Sequence, residues 1–304
     1  MDNERMFESL RHFLGDVPVD QVTKQGLKAA LQQISWLPVR HKAPYKGRSL
    51  EQLANEAVPE EDRVSGKYVK GHLKLAQGLF SSYLVNELEL LEQSPTAGLT
   101  WRYENRRYAS LDDQLVQQAV RASAEKPEWF RWFLLIAIYS GARRSEIANL
   151  LSEDFRIDSG SRREYFLIKS GKTKAATRRV PLHKMLIQAG LLEWVAEQKG
   201  QLFPIAARNP NRATDLFNSL FSASFNEVGE RMVFHSLRHT FITKARAAGV
   251  PDVLVQQVVG HEKRGAGITD RYTHTFPVKD VLCVVDAVQF PVCREIVESK
   301  GRGT

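Results

Sequence analysis

The stretch EWFRWFLLIAIYSGARRSEIANLL, residues 128–151, decides how this chain is read. Its first half predicts a buried helix, with Trp129, Trp132, Phe133 and Ile136 as the apolar side. Ser140-Gly141 breaks that helix, because glycine accepts backbone angles that other residues resist. Arg143 and Arg144 follow at the start of a further helical turn or two, which carries Glu146, Ile147, Leu150 and Leu151.

Moving outward, the character changes. REYFLIK (163–169) and RRVPL (178–182) are β-rich, and the small, basic SGKTKAAT lies between them. This predicts a β-hairpin with lysines at its tip. SLRHTFITKARAAG (236–249) is helical again and ends at Gly249, a suitable cap. Here His235, Arg238 and His239 stand at i, i+3 and i+4 and project from one side, while Leu237, Phe241 and Ala245 form the buried side. PDVLVQQVVG (251–260) begins another helix near Pro251.

Upstream, QVTKQGLKAALQQISWL (21–37) sets Val22, Leu27, Leu31 and Ile34 at helical spacing. A basic loop, VRHKAPYKGRS, leads to a second long helix over residues 65–91. Lys67, Lys70 and Lys74 share one face of it, either as a solvated lysine face or as contacts to a polyanion. SPTAGLT (94–100) has proline, glycine and no periodicity, and reads as a linker. The expected fold class is mainly α with a small β-sheet. It comprises a helical domain over 1–98, a linker over 99–108, and an α+β domain with a C-terminal tail over 109–304.

Bulk properties agree with two domains: 304 residues, 43% of them hydrophobic. No apolar run approaches the ~18–20 residues of a membrane span. The opening MDNERMFESL lacks the apolar core of a secretory signal. Cys283 and Cys293 lack the companions of a disulfide framework or a zinc site, and are expected to be reduced, buried thiols of a cytoplasmic protein. The net charge is +8. Residues 1–100 hold 12 Lys+Arg against 13 Asp+Glu, whereas residues 101–304 hold 31 against 22. The excess suits a polyanion held mainly by the C-terminal part.

Four clusters carry possible chemistry. They are SGARRSE with Arg143, the hairpin tip with Lys169, Lys172 and Lys174, FHSLRHTF with His235, Arg238 and His239, and VVGHEKRGAGITDRYTH with His261 and Tyr272. Each alone is commonplace: an arginine pair is usually a solvated face, and a tyrosine near a C-terminus is usually structural. Together they supply what phosphoryl transfer needs, namely cationic donors around the phosphate, an in-line nucleophile and an acid for the leaving group. No carboxylate cluster spaced for metal ions, Walker loop or zinc spacing accompanies them.

These boxes resemble those of the tyrosine recombinase (phage integrase) family. SGARRSEIANL looks like its first arginine box, GKTKAATRRVPL its lysine hairpin, HSLRHTF its H-x-L-R-H box and VVGHEKRGAGITDRYTH its terminal box, in family order over residues 130–275. Val259 replaces a usual leucine, and Tyr272 lies eleven residues after His261, a slightly long spacing. The N-terminal part resembles the family's core-binding domain only in length and helical pattern.

The resemblance implies a site-specific DNA recombinase that needs no metal, nucleotide or other cofactor. In it Tyr272 is the nucleophile, Arg143 and Arg238 hold the phosphate, Lys172 is the general acid, His235 takes the tyrosine proton and His261 bonds the phosphate. Glu146 orients Arg143, and His239 is supporting. Lys67, Lys70, Lys74, Arg144, Lys174 and Arg178 are expected DNA contacts. The implied partners are double-stranded recombination sites, three further copies of the chain in a tetramer on DNA, and accessory DNA-bending or directionality proteins. No membrane partner is expected, and the location implied is cytoplasmic, with the nucleoid. In the family the tail after the tyrosine commonly docks on a neighbour. DVLCVVDAVQFPVCREIV is amphipathic enough for that, or for packing on its own domain. A type IB topoisomerase shares the same chemistry, and a non-catalytic DNA-binding regulator could share the fold.

Overall fold

The computed structural model describes residues 2–104, 108–169, 177–260 and 276–291. The chain divides into two compact units, Met1–Asn105 and Arg106–Thr304.

The first unit is helical: α1 (Asp2–Leu14), α2 (Lys24–Trp36), α3 (Leu50–Ala54) and α4 (Gly66–Gln77), which runs on as a π-helix over Gly78–Glu87. Polar caps start three of these. The side chains of Thr23, Ser49 and Ser65 accept the backbone N–H groups of Gly26, Gln52 and Tyr68. The periodic apolar residues face inward, with Leu27, Leu31, Ile34, Leu53, Val69, Leu73, Phe80 and Leu84 buried in one cluster.

The stretch 94–100 is not a free linker. Ser81 donates to Ser94 (2.8 Å), Thr96 lies within 3.0 Å of Ser81, and Leu99 is buried in the first core with Trp101 against it. A small hydroxyl network and one leucine outweigh the loop-like composition. At the other end of the expected linker, Tyr108 pairs with Arg231, and the Ala109 N–H donates to the Arg231 carbonyl (3.0 Å).

The second unit contains α5 (Asp113–Ala122), α6 (Glu128–Ser140), α7 (Arg144–Ala148), β1 (Phe155–Ile157), β2 (Glu164–Ile168), β3 (Arg178–Pro181), α8 (Lys184–Gln188), α9 (Leu191–Glu197), α10 (Pro204–Arg208), α11 (Pro210–Asn218), α12 (Ser236–Ala247), α13 (Asp252–Val259) and α14 (Val278–Asp286). The antiparallel sheet has the order β1-β2-β3, with Phe166 opposite both Phe155 and Val180. Helix α6 is buried on every side from Trp132 to Ser140, so it runs through the centre of the core as the buried helix expected from its sequence. Helix α12 crosses it at Gly141. That residue has φ +60°, and a Cβ there would sit 2.7 Å from the Phe241 ring, so both backbone angle and packing require glycine.

The tail after residue 275 packs in cis as far as it is described. Val281, Val284, Val285, Val288 and Phe290 enter the second unit's own core, and Arg163 forks onto Asp286 (2.9 and 3.0 Å). Cys283 is exposed, not buried, because the valines of α14 take the inward positions. Cys293 lies outside the described residues.

Candidate active site

Two elements converge on one carboxylate. Arg143 is the N-cap of α7, and its backbone N–H donates to Glu146 Oε2 (2.7 Å) while Nη1 donates to Oε1 (2.8 Å). From β3, Arg178 forks onto the same two oxygens (3.0 and 2.8 Å). Burial alone would raise the Glu146 carboxyl. The hydrogen bonds and charge of Arg178, then the hydrogen bonds of Arg143, override it and hold the group at about 2. Glu146 is therefore an anion at any working pH, shared by two guanidiniums.

The same arginines grip the end of α13. Arg178 Nε donates to the Val258 carbonyl (2.7 Å), and Arg143 Nη2 donates to the Gly260 carbonyl (2.8 Å). Gly260 has φ +67°, and a Cβ on it would meet Arg178 Nη1 at 2.6 Å. Here too a side chain is excluded by both angle and contact.

Arg238 comes to this cluster from α12. It is 2% exposed, and its Nη1 donates to the Gly141 carbonyl (2.8 Å). Its Nη2 is buried with no hydrogen-bond partner among the described residues. Burial, with the charge of Arg143, pushes this guanidinium down to about 9. It remains charged at neutral pH, but short of negative partners. Arg143, Arg178 and Arg238 against Glu146 leave a net positive centre, which an anion would complete.

His235, the N-cap of α12, is exposed, and His239 follows one turn later, half-buried. Their rings meet edge-to-face at 5.1 Å, and Tyr108 lies 6.2 and 6.3 Å from them. Burial first, then Arg238, lowers His239, favouring its neutral form. Tyr108 was not apparent from sequence, since it stands 127 residues before His235.

Lys169 pairs with Asp154 (2.6 Å) and Glu153 (3.2 Å) at the end of β2. Arg144 is half-buried and donates to Thr214 on α11. Arg178 corrects an expectation: it is buried, with its fork on Glu146 and its Nε on Val258, so it offers no surface to DNA. Period-two alternation in RRVP, which puts Arg178 on the face of Val180, could have revealed this. Lys67, Lys70 and Lys74 are exposed along α4, with Lys70 Nζ 5.6 Å from the Tyr103 ring centre. Lys172, Lys174, His261 and Tyr272 lie outside the described residues. Among the described residues no group of His, Cys, Asp and Glu is placed to hold a metal ion, and no helix is long and apolar enough to cross a membrane.

The family model for the phage integrase family matches residues 109–278. No curated protein sequence matches the chain. Among solved structures, it is similar to a lambda integrase (75–356) dimer bound to a COC′ core site, at 16% identity over 88% of this chain and 90% of that one, with a TM-score of 0.59. It is similar to a lambda integrase tetramer bound to a Holliday junction, at 16% identity over 88% of this chain and 72% of that one, TM-score 0.60. It is also similar to the Tn1549 transposon integrase (residues 82–397) in complex with circular intermediate DNA, at 16% identity over 90% and 88% of the two chains, TM-score 0.59. At such identities the likeness is one of fold.

Proposed function

The chain belongs to the phage integrase family, and on that premise we propose that it is a site-specific recombinase that cuts and rejoins DNA through Tyr272. The Tyr272 oxygen attacks the scissile phosphate, forming a 3′-phosphotyrosyl bond as the bond to the 5′-oxygen breaks. Lys172 gives its proton to that oxygen, and His235 takes the proton of the tyrosine. The phosphodiester energy is conserved in the covalent bond, so neither ATP nor a metal is needed. Arg143 and Arg238 face the non-bridging oxygens, where rigid forks suit two acceptors better than lysine would. His261 adds a hydrogen bond to the phosphate. Glu146 orients Arg143, and His239 supports His235.

One observation carries this assignment. A guanidinium nearly free of solvent, with one buried donor open among the described residues, costs stability unless an anion completes it. A phosphate oxygen at Arg238 Nη2 would do so.

The first unit is proposed as the core-type DNA-binding domain, reaching the backbone through Lys67, Lys70 and Lys74. In the second unit Lys174 and Arg144 are further phosphate contacts, although the bond to Thr214 ties Arg144. Four copies acting on two duplexes through a Holliday junction, with accessory DNA-bending or directionality proteins, complete the scheme.

The test is incubation with a nicked suicide substrate made from the flanking DNA. The unaltered chain should form a covalent complex that maps to Tyr272. Tyr272→Phe should bind the site and form none. Binding without any adduct in the unaltered chain would make it a regulator on this fold. Relaxation of supercoils without exchange between sites would make it a topoisomerase.

A further inference from the structure

We infer that Arg178 is a positioning residue that fixes Arg143 through their shared carboxylate and holds the last turn of α13 beside it. The inference rests on the strand-transfer assignment above and adds a residue to it. Arg178 touches neither substrate nor reacting atoms in this scheme, so its effect passes through Glu146 and two carbonyls.

The geometry is saturated. Arg178 is 3% exposed, and all three guanidinium nitrogens are used: two on Glu146 and one on the Val258 carbonyl. Glu146 in turn fixes both the backbone and the side chain of Arg143. Arg143 Nη2 closes the circuit on the Gly260 carbonyl. One buried fork thus joins α7, β3 and α13. The chain continues from Gly260 directly into the box that contains His261 and Tyr272. The separation of the phosphate-holding arginine from the start of the nucleophile's segment is therefore set by Arg178. Gly260 belongs to the same device, since its lack of a side chain leaves room for the guanidinium.

A purely structural ion pair would affect folding alone. A positioning residue should affect rate and its pH dependence. Without Arg178, Glu146 keeps its burial but loses the donors that most oppose it, so its proton affinity rises. An acid whose value rises in this way is anionic at high pH and protonates as pH falls. A protonated Glu146 cannot accept from both Arg143 groups.

The experiment compares the unaltered chain with Arg178→Met, Arg178→Lys, Gly260→Ala and the double variant Arg178→Met/Glu146→Gln. Single-turnover cleavage of the suicide substrate is followed from pH 5 to 9, with amide exchange of residues 252–260 measured alongside. Arg178→Met should cleave on the order of 10²-fold more slowly, the scale of a small misplacement remote from the chemistry. Its rate should fall further below pH 7, where the unaltered chain loses nothing through Glu146. The double variant should lack that acid limb, and Arg178→Lys should recover part of the rate. Gly260→Ala removes no charge yet crowds the guanidinium, so it should slow cleavage in the same direction. Exchange in the last turn of α13 should quicken in Arg178→Met.

Cleavage by folded Arg178→Met within twofold of the unaltered chain would overturn the inference. So would a slowed rate with an unaltered pH profile, or unchanged exchange at 252–260. If the unaltered chain itself forms no covalent complex, the strand-transfer assignment fails, and amide exchange alone decides whether Arg178 holds α13.

Discussion

Replacing Arg238 with methionine should make the protein more stable and abolish cleavage. Methionine keeps the stem and fills similar space, so packing changes little. Burial, with the charge of Arg143, pulls the guanidinium well below its ordinary range, to about 9. At 1.36 kcal/mol per unit this is a burden of about 5 kcal/mol on the folded state at neutral pH. The sign follows from linkage: a base whose value is lower in the folded chain opposes folding at every pH below the folded value, and the cost is relieved only above about 9. Against it stands the bond to the Gly141 carbonyl. Its loss, with that carbonyl left short of a donor, costs about 1.5–3 kcal/mol. The balance is a gain of about 2–3.5 kcal/mol. For a unit of this size Tm moves about 2–4 °C per kcal/mol, so a rise of about 4–14 °C is expected. Urea unfolding of both proteins, with m unchanged, gives the difference directly. Inorganic phosphate at 100 times its Kd should add about 2.7 kcal/mol to the unaltered chain and far less to the variant. Destabilisation of Arg238→Met by more than about 2 kcal/mol would refute the reasoning, because Arg238 would then be structural and not a charge held open for an anion.

Cleavage should proceed at full rate in EDTA and without nucleotide; loss in EDTA with recovery on adding magnesium would remove the metal-free scheme. Neutralising Lys67, Lys70 and Lys74 together should weaken site binding and flatten the plot of log K against log salt by about 0.9 per lost phosphate contact. An unchanged slope would return that face of α4 to solvent. Gly141→Ala meets the Phe241 ring at 2.7 Å and sits at φ +60°. The left-handed angle costs about 1–2 kcal/mol and the overpacking about 1–3 kcal/mol, which a fall in the urea midpoint should register.

Features with local causes were legible in the sequence. The break of α6 at Gly141, the cap of α7 at Arg143 and the stripe of Leu237, Phe241 and Ala245 follow from spacing and backbone preference. Failures came where a residue's chemistry and its position disagree. Arg238 is buried in α12 together with Leu237 and Phe241, although its charge set it with His235 and His239 on the side away from them. Arg178 alternates with Val180 and shares its inward face, but its partners lie 32 and 80 residues away in sequence. The segment 94–100 has loop composition, and only its contacts with Ser81 and the first core make it part of the unit. Strand β1, three residues long, carries too little pattern to be seen. How the arginines stand relative to Lys172, His261 and Tyr272 lies outside the described residues.

Helix α14 has a consequence for the order in which the protein is made. Its valines complete the core of the second unit, and Asp286 takes the fork of Arg163, 123 residues earlier in the sequence. The first unit has its own core within residues 10–99, so it can fold while the rest is still being translated, as N-terminal domains generally do. The second unit cannot close until residues near 290 have emerged from the ribosome. Its arginine cluster needs β3 and α13, and both pack against α14. A nascent or prematurely terminated chain would therefore carry a finished first unit and an unassembled cluster. Synthesis itself would keep the arginine cluster unassembled until α14 is in place.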